Sequence, residues 1–320
     1  MNNIQFSEKI MKKVFIDGSA GTTGLRIFDR LRDRDDIELF VLPEEKRKDE
    51  KSIREAINNS DITFLCLPDA AAVEAVEMTE NPDTVIIDTS TAHRTLSGWA
   101  YGFPELGENF KEKIINSKRI AVPGCHASGF ISIVYPLVES GIITSDTLLS
   151  CFSLTGYSGG GKKMIAQYES EDKEEPLFAP RQYGLAQTHK HLREMKCIPG
   201  LDAEPIFSPV VDDYYSGMQV SVPIFASQLA DGFTADDIKK CYAAKYNGDI
   251  VKFEPESPAD GFLSAGELKN KDSMKISVFG NGDRIILTST FDNLGKGSSG
   301  AAVECLNLVL GADIKKGLVL

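Results

Sequence analysis

The sequence predicts an α/β protein in which a parallel-sheet domain is followed by an α+β domain. Three observations lead there. Short apolar runs alternate with segments of helical period between Lys13 and Asp88, glycines cluster where the first run stops, and after Cys125 the pattern changes to strand-like segments separated by long loops.

The elements follow in order. Lys13–Asp17 is a short apolar run that ends at Gly18, as a buried parallel strand does. Thr22–Asp33 places Leu25, Phe28 and Leu31 at helical spacing, and Ile37–Leu42 is a second strand. Ser52–Asn58 is a helix, Asp61–Leu67 a strand ended by Pro68, Ala70–Met78 a helix and Thr84–Asp88 a strand. Phe130–Leu137 continues as a helix. Thr147–Leu154, Gln219–Phe225, Lys275–Phe279 and Arg284–Phe291 are strand-like, and Gly297–Val309 is a small-residue helix. Met1–Met11 reads as a loosely attached leader, and the charged run Glu44–Lys51 as a solvated loop.

Composition narrows the function classes. The 320 residues allow two domains with real cores. Lys+Arg 35 against Asp+Glu 47 gives a net charge of −12, which argues against nucleic acid and anionic membrane as partners. No apolar run is long enough to span a bilayer and the first ten residues show no apolar core of a signal peptide. Six scattered cysteines without a CxxC pair predict reduced thiols and a cytoplasmic protein.

The first chemical motif is Gly18-Ser19-Ala20-Gly21-Thr22-Thr23-Gly24, between a strand and a helix. Glycines there permit a tight turn and close approach to a pyrophosphate, which the N–H groups at the helix start receive. This predicts a Rossmann-type dinucleotide-binding domain. Lys46, Arg47 and Lys48 beyond strand two favour the 2′-phosphate of NADP over NAD. The second motif is Val122-Pro-Gly-Cys125-His-Ala-Ser128-Gly129. A thiol at a helix start feels the positive end of the helix dipole, which lowers its pKa, so Cys125 is the expected nucleophile. Cys66, Cys151 and Cys305 lie in apolar segments and read as inert; Cys197 and Cys241 have no comparable setting, and His126 reads as structural. The third motif is His189-Lys-His191-Leu-Arg193-Glu194. It supplies the acid/base that a thioester cycle needs, with Glu194 placed to orient His191 or Lys190. If a helix begins here only one imidazole faces the thiol, and which one stays open. No metal-ligand cluster accompanies the pair. Arg94 after the fourth strand and Ser158 in a glycine-rich loop are the expected phosphate contacts, ahead of Lys162 and Arg181.

Taken together, Gly18–Gly24, STAHR (Ser90–Arg94), YGFPE (Tyr101–Glu105), VPGCHASGF, TGYSGGGK, HKHLREM and DNLGKGSSGAA (Asp292–Ala302) resemble N-acetyl-gamma-glutamyl-phosphate reductase, in its shorter variety, over nearly the whole chain. The resemblance implies a Rossmann domain joined to an α+β catalytic domain, NADPH-dependent reduction of an acyl phosphate to a semialdehyde in arginine biosynthesis, and a homo-oligomer, usually a tetramer. It matches Cys125 to the family nucleophile, His189 and His191 to its histidine pair, and Arg94 to its arginine. It places Asn293 in the nicotinamide pocket. Arg193 stands where the family often has proline. Ser128 joins Arg94 and Ser158 in the expected substrate-binding set. The domains expected are 1–125 plus 298–320 for NADP and 126–297 for catalysis and oligomerisation. Two alternatives remain: an aspartate-semialdehyde dehydrogenase, disfavoured by the H-x-H segment, and a non-catalytic cofactor sensor, disfavoured by the intact cysteine and histidine motifs.

Overall fold

The computed structural model describes residues 11–320, so the expected leader lies outside the described residues. The first sheet contains β1 (Lys12–Asp17), β2 (Ile37–Phe40), β3 (Ile62–Leu65), β4 (Val85–Asp88), β5 (Ala100–Tyr101) and β6 (Arg119–Ala121). All pairs are parallel, in the order β2-β1-β3-β4-β6-β5. The crossovers carry α1 (Thr22–Leu31), α2 (Glu50–Asn58), α3 (Asp69–Glu77) and α4 (Glu108–Asn116). Because helices cover both faces, every residue of β3 and β4 is buried, which is why these strands read as continuous apolar runs.

The second domain opens with α5 (Cys125–Glu139), followed by β7 (Ser150–Gly156), α6 (Gly161–Tyr168), β8 (Arg181–Gln182) and α7 (Leu192–Cys197). It continues with β9 (Ile206–Asp212), β10 (Met218–Phe225), α8 (Ala235–Lys245), β11 (Val251–Phe253), β12 (Met274–Gly280) and β13 (Arg284–Phe291). These strands form a mixed sheet in the order β11-β12-β13-β10-β7-β9-β8. The apolar helix α5 lies against one face of it, with Phe130 and Val134 in the same core as Val220, Met274 and Phe291. Helix α9 (Gly300–Leu310) returns to the first domain, where Ala301, Ala302 and Leu306 bury against Ile16 and Ile87. The opposite face of that sheet presents Phe15, Leu65 and Ile86 to Ala56, Ile57 and Ala72 of α2 and α3.

Boundaries differ from the sequence reading for local reasons. Helix α2 starts at Glu50 because Asp49 accepts the Ser52 N–H at 2.9 Å, so the charged run is partly a helix cap. The expected helix from Gly297 is a wide turn over Gly295–Ser299 followed by α9. Asp292 imposes the wide turn by accepting the N–H groups of Leu294 and Gly295 at 2.7 and 3.2 Å. Strand β9 went unread because Pro209, although buried in phase with Phe207 and Val211, lacks the N–H that a central strand uses.

Candidate active site

A cavity of about 650 Å³ opens between the carboxyl edge of the first sheet and the second domain. The glycine loop forms one wall. Gly18 has φ 78°, and a Cβ there would lie 2.3 Å from the Cys66 carbonyl oxygen, so the turn after β1 admits only glycine. The cap residue Gly21 gives α1 no side-chain cap, leaving the first N–H groups of the helix to a ligand. Gly21, Thr22 and Thr23 line the cavity. Gly24 packs on Gly18, Ser19 is buried, and exposed Ala20 faces a neighbouring cleft instead. Arg47 is exposed on the loop after β2, outside the cavity lining, with its Nε donating to the Leu42 carbonyl at 3.0 Å.

Cys125 is the first residue of α5 and lines the cavity. Its thiol is not acidified as the helix-start position predicted: burial pushes it up to about 11, and the nearby Arg94 guanidinium offsets only part of this. Arg94 is itself committed. Its Nη1 pairs with Glu194 Oε1 at 2.8 Å and its Nη2 donates to the Thr89 carbonyl at 2.9 Å, while its buried Nε has no partner. Glu194 does not orient His191 or Lys190, as expected from the sequence. Its second oxygen accepts the Tyr101 hydroxyl and the Gly124 N–H, each at 3.0 Å.

The histidine pair also departs from expectation. The residues sit on the turn before α7 rather than within a helix, so their rings converge. His191 N–H donates to His189 Nδ1 at 3.2 Å, the ring centroids are 4.7 Å apart, and both rings lie against His126 at 5.6 and 5.5 Å. All three line the cavity. Burial is the main cause holding each of them neutral: His126 falls to about 3, His189 to about 4, and fully buried His191 goes well below its usual value. The Nδ1 atom of His191 has no partner, and a Cβ on Gly124 would lie 2.4 Å from its Nε2, so this ring packs on the residue before the nucleophile.

Asn293 and Ser158 meet in the cavity wall, Asn293 Nδ2 donating to Ser158 Oγ at 3.0 Å while its Oδ1 accepts the Gly217 N–H at 2.9 Å. Ser128 is buried one turn into α5, outside the cavity lining, and its Oγ has no hydrogen-bond partner. Cys66 lies on the cavity wall rather than in the core as expected, with its thiol pushed up to about 12 by burial. Among the described residues no group of three or more histidines, cysteines or carboxylates is arranged to hold a metal ion. Tyr183 escaped the sequence reading, having no periodicity or motif to mark it, and Tyr101 stood in YGFPE without a role.

Comparison with known proteins gives the family. Residues 13–114 match the semialdehyde dehydrogenase NAD binding domain and residues 125–293 the semialdehyde dehydrogenase dimerisation domain. The N-acetyl-gamma-glutamyl-phosphate reductase of Rhizobium etli is 44% identical over 305 residues, covering 93% of this chain and 98% of that protein. The chain belongs to the N-acetyl-gamma-glutamyl-phosphate reductase family. Relatives of that name from Burkholderia cenocepacia and, numbered 2, from Nostoc are 41% and 40% identical, covering 94% and 96% of this chain and 97% and 99% of their own. Among solved structures, an aspartate semialdehyde dehydrogenase II from Vibrio cholerae superposes with a TM-score of 0.74 at 16% identity, covering 94% of this chain and 98% of that one. That likeness establishes the shared two-domain fold. The family thus joins a nicotinamide-binding parallel-sheet domain to a mixed-sheet domain, and the chain is an oxidoreductase of the phosphorylating semialdehyde dehydrogenase kind. Among the described residues no helix is long and apolar enough to cross a membrane.

Proposed function

We propose that the chain reduces N-acetylglutamyl 5-phosphate to N-acetylglutamate 5-semialdehyde with release of phosphate, using NADPH, in cytoplasmic arginine biosynthesis. One observation carries this reading: a helix-start cysteine, two converging imidazoles and the glycine loop all face a single cavity. His191, neutral and packed on Gly124 beside the nucleophile, accepts the Cys125 thiol proton. The sulfur then bonds to the acyl carbon, the bond from that carbon to the phosphate oxygen breaks, and phosphate departs with that electron pair, leaving a thioester on Cys125. The half-exposed His189 serves proton exchange at the substrate.

The residues fit a nicotinamide dinucleotide. The uncapped start of α1 with Gly21, Thr22 and Thr23 would hold its pyrophosphate, the loop with Lys46, Arg47 and Lys48 follows β2, and Asn293 lines the cavity beside Ser158. When bound, NADPH supplies the hydride that reduces the acyl group. The substrate contacts are assigned to Arg94 and Ser158. Arg94 spends one N–H of Nη1 on Glu194 and one of Nη2 on the Thr89 carbonyl, which leaves the second N–H of each for a substrate oxygen.

A homo-oligomer belongs to the same reading. One face of the second sheet exposes Phe152, Leu154, Ile206 and Phe225, and the strand register puts them on the same side, opposite α5. Apolar surface of that kind is normally covered by a partner.

The test is phosphate-dependent reduction of NADP⁺ with N-acetylglutamate 5-semialdehyde, run beside aspartate semialdehyde. Turnover with the first and little with the second is expected; the reverse preference makes the chain an aspartate-semialdehyde dehydrogenase.

A further inference from the structure

The mechanism above leaves His126 unused, although it is buried next to the nucleophile. Its Nδ1 is 2.6 Å from Ser153 Oγ on β7, and its Nε2 is 2.7 Å from the hydroxyl of Tyr183, just after β8. Tyr183 lines the cavity together with Cys125 and the histidine pair. The three side chains therefore form a hydrogen-bonded row that starts in the interior of the second domain and ends at the wall of the cavity that holds Cys125.

A neutral imidazole carries one N–H, so the row has two polarities. In one, the Ser153 hydroxyl donates to Nδ1, the Nε2–H donates to the Tyr183 oxygen, and the tyrosine O–H is left to donate into the cavity. Burial keeps His126 neutral, which gives this polarity its single ring proton. Burial also raises Tyr183 far above its ordinary value, with negative charge on Cys125 adding to the effect. The hydroxyl thus keeps its proton, and it shares the cavity wall with Cys125.

We propose that Tyr183 is a catalytic hydrogen-bond donor to the carbonyl oxygen of the acyl group under attack by Cys125, held and polarised for this by His126 and Ser153. When the sulfur adds to the acyl carbon, the carbonyl π pair moves onto oxygen; that pair returns as the bond to phosphate breaks. The tyrosine O–H meets the transient negative charge throughout, and no proton is transferred in this step. Preorganised donors aimed at such an oxygen are among the strongest contributions a protein makes to acyl transfer. This assignment rests on the acyl-phosphate reading of the site.

Three rates on the full-length protein test it: release of phosphate from N-acetylglutamyl phosphate without NADPH, steady-state kcat and KM, and alkylation of Cys125 by iodoacetamide. Alkylation displaces iodide at a methylene carbon and develops no negative charge on a carbonyl oxygen, so it does not call on the donor. Y183F should slow phosphate release by about 100-fold and leave KM and alkylation nearly unchanged, the size expected for one lost oxyanion donor. S153A, which removes only the far end of the row, should give a smaller loss in the same pattern. Y183F releasing phosphate at the wild-type rate overturns the proposal, as does an equal loss of alkylation, which would mean that the tyrosine only places the thiol. If Y183F fails to fold, S153A decides: slower release with normal alkylation upholds the row, and a wild-type rate overturns it. A wild-type protein that releases no phosphate defeats the functional reading and this assignment together, whereas an active wild type with an undiminished Y183F defeats the assignment alone.

Discussion

The Glu194 carboxylate accepts the Gly124 N–H at 3.0 Å, one residue before the nucleophile. Its other oxygen holds Arg94 at 2.8 Å, so a single carboxylate on α7 fixes both the peptide leading into Cys125 and the cation facing it. Gly124 has to be glycine for this arrangement, because a Cβ would lie 2.4 Å from His191 Nε2 and 2.5 Å from Arg94 Nη1.

Gly124→Ala should therefore displace the base and the cation together. We expect kcat to fall by about 100-fold with the protein still folded, the scale on which an ångström of misplacement costs rate. Steady-state kinetics beside a thermal melt check this. An alanine variant with wild-type kcat would contradict the crowding.

Much of the fold was legible because β3 and β4 are buried on both faces and the glycine loop follows β1 directly. The chemistry of Cys125 was legible as position and not as electrostatics. A helix start is visible in VPGCHASGF, whereas the burial that outweighs it involves residues far along the chain, such as Gly297, which packs on Cys125. Likewise the helical spacing rule failed for His189 and His191 because the turn before α7 was invisible until the backbone of residues 181–191 was known. Glu194 was noticed, but its partners Arg94, Tyr101 and Gly124 lie 100, 93 and 70 positions away, beyond any local pattern.

Cys125 alkylation should climb with pH. With the thiol near 11 and the histidines neutral, no thiolate–imidazolium pair is preformed in the free protein. The thiolate fraction, and with it the iodoacetamide rate mapped to Cys125, should rise about tenfold per pH unit through the neutral range. A rate that plateaus below about pH 8 would show an acidified thiol and contradict this.

Asp17 offers a stability test under the glycine loop. Burial raises its pKa from 3.8 to about 6. The folded carboxyl thus keeps its proton to higher pH than the unfolded one, and stability is lost as pH rises between those values. By linkage the ionised group costs up to about 3 kcal/mol above that window. Asp17→Asn should raise the melting temperature near pH 8, with the gain vanishing near pH 4. An equal shift at both pH values would mean that packing, not charge, is responsible.

Cofactor choice should follow the loop after β2. We expect a higher kcat/KM with NADPH than with NADH, and Arg47→Ala should narrow that ratio by lowering the NADPH value alone. Equal efficiency in the unaltered protein removes the preference; an unchanged ratio in the variant removes Arg47 from it.

The covalent step is open to direct observation. The protein, incubated with N-acetylglutamyl phosphate in the absence of NADPH and quenched in acid, is weighed intact by mass spectrometry and then mapped by peptide digestion. The expected result is a gain of one N-acetylglutamyl group on Cys125, matched by one equivalent of released phosphate, and no gain in Cys125→Ser. Phosphate release without any adduct on Cys125, or the same adduct in the serine variant, would contradict thioester chemistry at this residue.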